Sequence, residues 1–322
     1  MTTLSRRGLL GGIAATAAFG SLATSPSVQA AAPVSGKQAP GFYRYKVGDF
    51  EVTMLNDGMA EFPIQALRVN ADEVNAALDA AFLPKGKLQA PFNVTLVNTG
   101  TKLVLIDTGN GTTRPTAGHL AANLTAAGID TKAIDTVVIS HFHGDHISGL
   151  LNAQAAPVFT SAEVQVPAKE WAFWMDDGNM SRAPEGMKPA FNNVRRVFGA
   201  LGNKVTQYEA GKEVAPGITS MDTAGHTPGH TSYLVSSGSG KLLVQSDVTA
   251  VVATLIIQRP EWSITGDMDA AKAIEARKKL YDMLAAERMP FTGYHLPFPA
   301  TGYVEKSGSG YRFVPIAWNP AV

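Results

Sequence analysis

The stretch that decides the fold is TVVISHFHGDH, residues 136–146. Residues 134–139 are β-branched at five of six positions and predict a buried strand, which three histidines and an aspartate follow. His141 and His143 alternate, so both can project to one side of an extended loop, and Gly144 lets the backbone bend before Asp145 and His146. Imidazole and carboxylate groups at this density are typical of metal sites. One compact loop can therefore supply ligands to two metal ions about 3.5 Å apart, the separation that two-metal hydrolysis uses.

One loop cannot complete the coordination of two metal ions, so further ligands must come from elsewhere in the chain. The candidates follow predicted strands in the second half. His226 and His230 lie in the Gly/Pro-bracketed segment AGHTPGH, and Asp247 and His295 each follow a short apolar run. Taken singly, such a residue is more often a loop residue or a hydrogen-bonded core group than a ligand. Taken together with the first loop, they complete an inventory for two metals. The pattern alone leaves open whether His226 or His230 binds metal.

The order of predicted elements indicates an α/β fold. Two layers of sheet with helices outside would satisfy an order of strands, helix, strand, metal loop, helices, strands, helix and strand. The clearest helix spans 269–286 and should be capped by Asp267 or Asp269. A second helical stretch, 116–128, carries His119, which we expect to face solvent. Strands are predicted at 42–47, 50–55, 92–97, 102–106, 218–221, 232–236, 242–245, 290–294 and 311–315.

Composition excludes several classes of protein. The 322 residues include 27 Lys+Arg and 27 Asp+Glu, so no basic excess is available to attract nucleic acid. The chain has no cysteine, which rules out disulfides, thiolate zinc sites and a cysteine nucleophile. Hydrophobic residues make up 45% of the chain and charged residues 17%, which permits a large core. A small-molecule substrate is the expected partner, and a homodimer is compatible with this composition.

The N-terminus predicts export. Arg6 and Arg7 precede an apolar stretch from about residue 8 to 23, and Val28 and Ala30 suit the positions before a signal-peptidase cleavage site. We therefore expect a twin-arginine-type signal peptide at 1–30, a linker at 31–40 and a single domain at 41–322. The mature protein would be periplasmic or secreted. The alternative is an uncleaved membrane anchor, and no later segment is apolar and long enough to span a membrane.

The motif set resembles the metallo-β-lactamase superfamily. His141-x-His143-x-Asp145-His146 followed by His226, Asp247 and His295 is similar to its ligand pattern over essentially the whole chain after residue 40. Within the superfamily, the resemblance is to the group of methyl parathion hydrolase and its lactonase and esterase relatives. The segments that carry it are GFYR (41–44), GDFE (48–51), LVLIDTG (103–109) and GYRFVP (310–315). The resemblance implies a metallo-β-lactamase-like αββα sandwich.

The resemblance also implies two divalent metal ions, zinc or alternatively manganese, iron or cobalt. Asp247 would bridge the ions, and Asp107 and His230 would steady ligands without binding metal. A hydroxide between the metals would be the nucleophile, and the catalytic aspartates would be Asp247 and Asp145, of which Asp145 can pass a proton to the leaving group. The two implied ligand groups are His141, His143 and His226 for one metal, and Asp145, His146 and His295 for the other.

The expected substrates are apolar lactones or aryl esters, with phosphotriesters as the alternative and a non-catalytic metal-binding protein as the competing class. We expect Trp174 and Phe191 to line the substrate pocket. Ala250 stands where lactonases of the superfamily often carry a tyrosine, and the polar segment NGTTR (110–114) stands where the parathion-hydrolysing relatives place an aromatic. No basic cluster to hold a second carboxylate is evident in the sequence.

Overall fold

The computed structural model describes residues 34–322. The predicted signal peptide at 1–30 lies outside the described residues, as does the start of the predicted linker. Residues 34–40 are exposed and form neither helix nor strand. Residues 40–322 form one compact unit. Within 34–322, no helix is both long enough and apolar enough to cross a membrane.

The first half of the unit builds a seven-stranded sheet whose strands lie in chain order. Its first four strands pair antiparallel and its last three join in parallel, so the later strands need crossover connections. The strands are β1 (Phe42–Val47), β2 (Phe50–Pro63), β3 (Lys87–Asn98), β4 (Leu103–Ile106), β5 (Thr136–Val138), β6 (Glu163–Pro167) and β7 (Val205–Tyr208).

The second half builds another seven-stranded sheet, in the order β14-β13-β12-β11-β10-β9-β8. Its neighbouring strands pair antiparallel except β11 and β12, which pair in parallel. The strands are β8 (Glu213–Ala215), β9 (Ile218–Asp222), β10 (Thr231–Ser237), β11 (Gly240–Val244), β12 (Phe291–Thr292), β13 (Thr301–Ser307) and β14 (Gly310–Pro315).

Helices pack outside the sheets. The longest, α8, is capped by Asp269, whose side chain accepts a hydrogen bond from the main-chain N–H of Lys272 at 3.0 Å. Of the two predicted caps, Asp269 is therefore the one used. His119 is exposed, as expected. The helices are α1 (Ala71–Ala80), α2 (Leu120–Ala126), α3 (Gly144–Ile147), α4 (Ala168–Trp174), α5 (Asp177–Arg182), α6 (Lys188–Leu201), α7 (Ala253–Gln258) and α8 (Ala270–Glu287).

The strand residues alternate between two cores. In β4, Val104 and Ile106 belong to the cluster between the sheets, where they join residues such as Tyr233 and Phe291. Leu105 points to the opposite face and joins a cluster with residues of α2 and α6. Both faces of the sheet are thus covered, which explains why its central strands are almost continuously apolar. The predicted αββα sandwich is confirmed.

The candidate ligands all follow strands. The loop after β5 carries His141 to His146, and the loop after β9 carries His226. Asp247 follows β11, and His295 follows β12. The two sheets therefore each contribute ligands at a shared edge, where the main-chain N–H of Thr231 also donates to the carbonyl of Ser140 at 3.1 Å.

Candidate metal centre

The histidine loop is held in place by the turn after β4. Its residues Gly144–Ile147 form the short helix α3, so Asp145 and His146 project from a helical turn while His141 and His143 project from extended backbone. The main-chain N–H and the hydroxyl of Thr108 both donate to the carbonyl of His146, at 2.9 and 2.8 Å. The Asp-Thr-Gly turn thereby fixes the end of the loop.

The first group of candidate ligands is His141, His143 and His226. Nδ1 of His143 lies 3.1 Å from Nε2 of His141 and 3.0 Å from Nε2 of His226. Tetrahedral zinc with bonds of about 2.0–2.1 Å separates its nitrogen ligands by about 3.3 Å, so these three nitrogens are spaced for one cation. Burial, with the neighbouring histidines, holds the pKa of His141 well below its ordinary value and lowers the pKa of His143 to about 3. Both rings are therefore neutral, as ligands must be.

The second group is Asp145, His146 and His295. Oδ2 of Asp145 lies 3.8 Å from Nε2 of His146 and 3.6 Å from Nε2 of His295. The side chain of Asp145 is 17% exposed, whereas that of His146 is fully buried. This group therefore combines two imidazoles with one carboxylate that can reach the solvent side.

Asp247 stands between the two groups. Its Oδ2 lies 3.5 Å from Nε2 of His226 and 3.1 Å from Nε2 of His295. Its Oδ1 lies 3.4 Å from Nε2 of His146. One carboxylate thus faces ligands of both groups, the position that a bridging ligand requires.

On four of the histidine rings, Nδ1 has a partner outside the two ligand groups, and Nε2 faces the other candidate ligands. His146 donates from Nδ1 to Asp107, His226 from Nδ1 to Asp267 and His295 from Nδ1 to the carbonyl of Pro91, each across 2.9 Å. Nδ1 of His141 lies 3.0 Å from the hydroxyl of Ser140, which itself donates to Asp107. Partners of this kind set the tautomer and direct the other ring nitrogen at a metal.

Two buried atoms of the site have no hydrogen-bond partner, Nε2 of His146 and Oδ1 of Asp247. A buried polar atom without a partner is costly, and a cation between the two groups would satisfy both atoms. Burial lowers the pKa of His146, but Asp247, Asp107 and Asp145 outweigh it and raise that pKa well above its ordinary value. Without metal, a proton on the ring therefore offsets the carboxylates. The donor set fits divalent cations.

Asp107 lies behind the candidate ligands and contacts them through hydrogen bonds. Its carboxylate accepts hydrogen bonds from the main-chain N–H and the hydroxyl of Ser140 and from the hydroxyl of Ser246, each at 2.8 Å, besides that from His146. Its φ of 65° is unusual for a residue with a side chain. The strained turn allows the carboxylate of Asp107 to bind both the histidine loop after β5 and the segment after β11.

His230 lies behind Asp247 and outside both ligand groups. Its Nε2 accepts the main-chain N–H of Asp247 at 3.0 Å, and its Nδ1 lies 2.9 Å from the hydroxyl of Thr223. Burial and the neighbouring His226 lower its pKa to about 3, so the ring is neutral and can accept that hydrogen bond. Of the two histidines in segment 224–230, His226 is the one beside the other ligands.

Asp267 is a site residue that sequence reasoning missed, having considered it only as a helix cap. One carboxylate oxygen accepts from Nδ1 of His226 at 2.9 Å, and the other accepts the main-chain N–H of Ile264 at 3.0 Å. The buried guanidinium of Arg277 lies 3.8 Å away. Asp267 therefore orients His226 as Asp107 orients His146.

Glu170 is a second residue that was missed. Its buried carboxylate accepts the main-chain N–H of Phe142 at 3.0 Å and that of Gly229 at 2.6 Å, so it joins the two histidine loops. It also accepts the indole N–H of Trp174 at 2.8 Å. Gly229 must be a glycine here, because a Cβ would lie 2.6 Å from the main-chain nitrogen of Glu170. An aromatic-rich helix gave no sequence signal that its one glutamate would be buried.

The structure places Trp174 and Phe191 away from the expected pocket. Both are buried in the core between sheet and helices, with 1% and 0% of their surfaces exposed, and their rings pack 4.7 Å apart. Trp174 is linked to the site by its hydrogen bond to Glu170, and its ring centre lies 6.4 Å from that of His143. Helical spacing could not distinguish a pocket-facing stripe from a core-facing one.

A cavity of about 190 Å³ opens over the candidate ligands. His143, Asp145, His226, Asp247 and His295 form its floor. Its walls come from the end of β2, the loop after β4 and the segments after β11 and α7. The wall residues are Phe62, Ala66, Arg114, Ala250, Val251, Ile264, Thr265 and Gly266.

The fold and this site define a metal-binding αββα protein. The sequence profile of the metallo-beta-lactamase superfamily matches residues 91–285, and the chain belongs to that superfamily. No curated protein matches the chain.

Solved structures of hydrolases share the fold. A structure described as AidC, a dizinc quorum-quenching lactonase in complex with a product, is 28% identical, with a TM-score of 0.81 over 87% of this chain and 98% of its own. The hydrolase AbOPH of the beta-lactamase superfamily is 28% identical, with a TM-score of 0.82 over 88% and 100%. A probable metal-dependent hydrolase from Staphylococcus aureus, 22% identical with a TM-score of 0.66 over 78% and 91%, shares the fold.

Proposed function

We propose that the protein is a dinuclear metal-dependent hydrolase of lactones and aryl esters. The observation that carries the proposal is the position of Asp247, whose two carboxylate oxygens face histidines of both ligand groups. A site for a single metal would not need a carboxylate shared in this way. The similarity to a dizinc lactonase supports lactones as the first substrates to test.

The residues would divide between two cations. His141, His143 and His226 would hold one, and Asp145, His146 and His295 the other, with Asp247 shared. When bound, such a pair of divalent ions lowers the pKa of water enough to supply hydroxide at neutral pH and stabilises negative charge on a carbonyl oxygen. Zinc is the proposed metal, because imidazole and carboxylate ligands suit it.

The chain's own groups prepare the reaction. The walls from Phe62, Val251 and Ile264 exclude water from the acyl group and offer apolar contact. Asp145 lines the cavity, and its partly exposed carboxylate is the group placed to pass a proton to a leaving alkoxide. Tyr294 fixes the backbone here by donating from its hydroxyl to the carbonyl of Asp145 at 2.5 Å.

The test is hydrolysis by zinc-loaded protein of a panel of lactones, aryl esters and phosphotriesters, with Asp247→Ala as the matched control. We expect kcat/KM to be highest for a lactone or an aryl ester, and we expect the control to lose at least about a thousandfold, since it disturbs both cations. No metal-dependent turnover of any substrate would overturn the proposal. A phosphotriester preferred by tenfold or more would instead establish the alternative activity.

We also propose that the protein is exported in folded form. Arg6 and Arg7 belong to the motif that carries this proposal. Replacing both with lysine should retain the precursor in the cytoplasm, as fractionation and immunoblotting would show. Processing of the lysine variant at the wild-type rate would refute it.

A further inference from the structure

Arg114 brings a positive charge to the cavity over the ligands. Among residues 34–322, it is the one arginine or lysine that lines this cavity. The segment 110–114 is polar where the parathion-hydrolysing relatives place an aromatic residue. The structure shows that the segment's last residue reaches the same space as Asp145 and His295.

The guanidinium of Arg114 rests on aromatic rings. Its central carbon lies 5.2 Å from the centre of the Phe62 ring and 5.9 Å from that of Phe92. No carboxylate within 34–322 forms an ion pair with it, and none of its nitrogens donates a hydrogen bond to a described residue. A partly buried cation on aromatic faces keeps its N–H groups available to an anion that enters the cavity.

The loop that carries Arg114 is anchored at both ends by one buried carboxylate. Asp57 accepts the main-chain N–H of Asn110 at 2.7 Å and that of Leu120 at 2.9 Å. Gly109 is required beside it, because a Cβ would lie 2.5 Å from the carboxyl carbon of Asp57. The loop that carries Arg114 is therefore fixed at both ends before a ligand arrives, which reduces the entropy that the loop loses on binding.

We propose that Arg114 is a specificity-determining residue that binds a carboxylate on the acyl part of the substrate, so that the preferred substrates are short-chain esters or lactones of diacids. The inference rests on the proposed function. A guanidinium pairs with a carboxylate through two parallel N–H···O bonds, a geometry that neutral acyl chains cannot use. A cavity of about 150 Å³ holds a benzene ring, so one of about 190 Å³ holds a short acyl chain with a terminal carboxylate.

The chemistry is ordinary ester hydrolysis. Water oxygen bonds to the acyl carbon, the acyl C–O bond breaks, and the alkoxide oxygen takes a proton from that water. The alcohol leaves from an ester and stays attached in an opened lactone. The product is a diacid, whose new carboxylate forms at the candidate ligands while the existing one remains at Arg114.

Two matched esters test the proposal, 4-nitrophenyl hydrogen glutarate and its methyl ester, which lacks the free carboxylate. Zinc-loaded wild type should show at least about tenfold higher kcat/KM on the free acid, as expected for a charged hydrogen bond. Arg114→Gln should lower kcat/KM for the free acid more than for the methyl ester, so that the ratio of the two kcat/KM values falls to about one. Arg114→Lys should retain part of the preference for the free acid, and the surface variant Arg312→Gln should retain all of it.

Equal rates on the two esters in wild type, or an undiminished preference in Arg114→Gln protein that melts like wild type, would overturn the inference while leaving the hydrolase proposal intact. If neither ester is hydrolysed, the wider panel of lactones, aryl esters and phosphotriesters decides the hydrolase proposal, and binding decides the inference separately. Calorimetry on zinc-loaded protein should then show glutarate binding at least about tenfold tighter than pentanoate, with the difference lost in Arg114→Gln. Equal binding of the two acids by wild type would refute the role of Arg114.

Discussion

The main-chain N–H of Asp247 donates a hydrogen bond to Nε2 of His230 across 3.0 Å, while the carboxylate of the same aspartate lies among the candidate ligands. His230 therefore acts on the site through the backbone of its most central residue. The residue pattern alone makes both Asp247 and His230 candidate metal ligands. This hydrogen bond distinguishes them, because only Asp247 lies among the other ligands.

Asp247→Ala and His230→Ala should differ in metal content. Removing the Asp247 carboxylate takes a ligand from both groups, so we expect fewer than one zinc per chain after loading and dialysis, against about two in wild type. Removing the His230 ring leaves every candidate ligand in place, so most of the metal should stay. Elemental analysis of the purified variants measures both. Equal metal loss from the two variants would contradict the assignment of His230.

Metal uptake should release protons and strengthen with rising pH. Burial lowers the pKa of His146 and His295, but the carboxylates around them, chiefly Asp247, outweigh burial and raise both pKa values above the ordinary one. In metal-free protein both rings therefore keep their second proton to a higher pH than an ordinary histidine does, and a metal on Nε2 must displace it. Calorimetry in two buffers of different ionisation enthalpy measures the protons released. A release of zero at neutral pH would show that the rings are already neutral.

Chelation should lower thermal stability as well as abolish hydrolysis. A ligand that binds only the folded state, present at about 1,000 times its Kd, contributes about 4 kcal/mol to stability. Differential scanning fluorimetry of wild type with excess zinc and with a chelator measures the shift in Tm. Asp247→Ala is the control, because its Tm should respond much less to chelation. Identical melting of wild type with and without metal would contradict a structural contribution from the cations.

Glu170→Gln should loosen both histidine loops. The amide nitrogen of glutamine would face one of the main-chain N–H groups that now donate to Glu170. A buried donor left without an acceptor costs about 1–3 kcal/mol. We expect a lower free energy of unfolding and at least about tenfold weaker zinc binding, measured by chelator competition. The exposed Glu287→Gln is the matched control. A lower free energy of unfolding with unchanged zinc affinity would show that Glu170 stabilises the core but does not influence the metal site.

Trp174→Ala should act on stability rather than on substrate choice. The side chain is buried in the core, so its truncation should cost about 3–5 kcal/mol of unfolding free energy. The ratio of kcat/KM between an aryl ester and an aliphatic ester should change less than twofold. In Phe62→Leu, which alters the cavity wall, the same ratio should change several-fold. A larger change in this ratio for Trp174→Ala than for Phe62→Leu would show that Trp174 contacts the substrate after all.

Much of the fold could be predicted from residue patterns. The hairpin of β1 and β2 follows from two apolar runs around Gly48-Asp49, and α8 follows from its length, its periodicity and an aspartate cap. The strands β6, β7, β8 and β13 were missed. No strand was predicted between residues 139 and 218, where β6, β7 and β8 lie. β13 is largely exposed beyond its first residues, so its apolar signal is weak. Pairing with neighbours decides such strands, and pairing is not local in sequence.

The candidate ligands could be predicted because metal ions bind only a few kinds of side chain. Four such side chains lie within residues 141–146. The groups behind the ligands could be predicted less well. Asp107 stood out by its turn, whereas Asp267 and Glu170 resemble ordinary surface acids until tertiary structure brings them to the ligand loops. The pocket walls were the hardest part to predict. Helical spacing did not show that Trp174 faces the core, and no residue pattern showed that Arg114 faces the cavity.

The candidate ligands of each proposed cation come from both sheets. His143 and His226 are 83 positions apart in the chain and belong to loops that follow different sheets, yet their ring nitrogens lie 3.0 Å apart. A cation bound there would therefore work as a reversible cross-link that closes a long loop, much as a disulfide does in proteins that have cysteine. This chain has none. Its resistance to unfolding should accordingly follow metal supply, whatever the redox state of its surroundings.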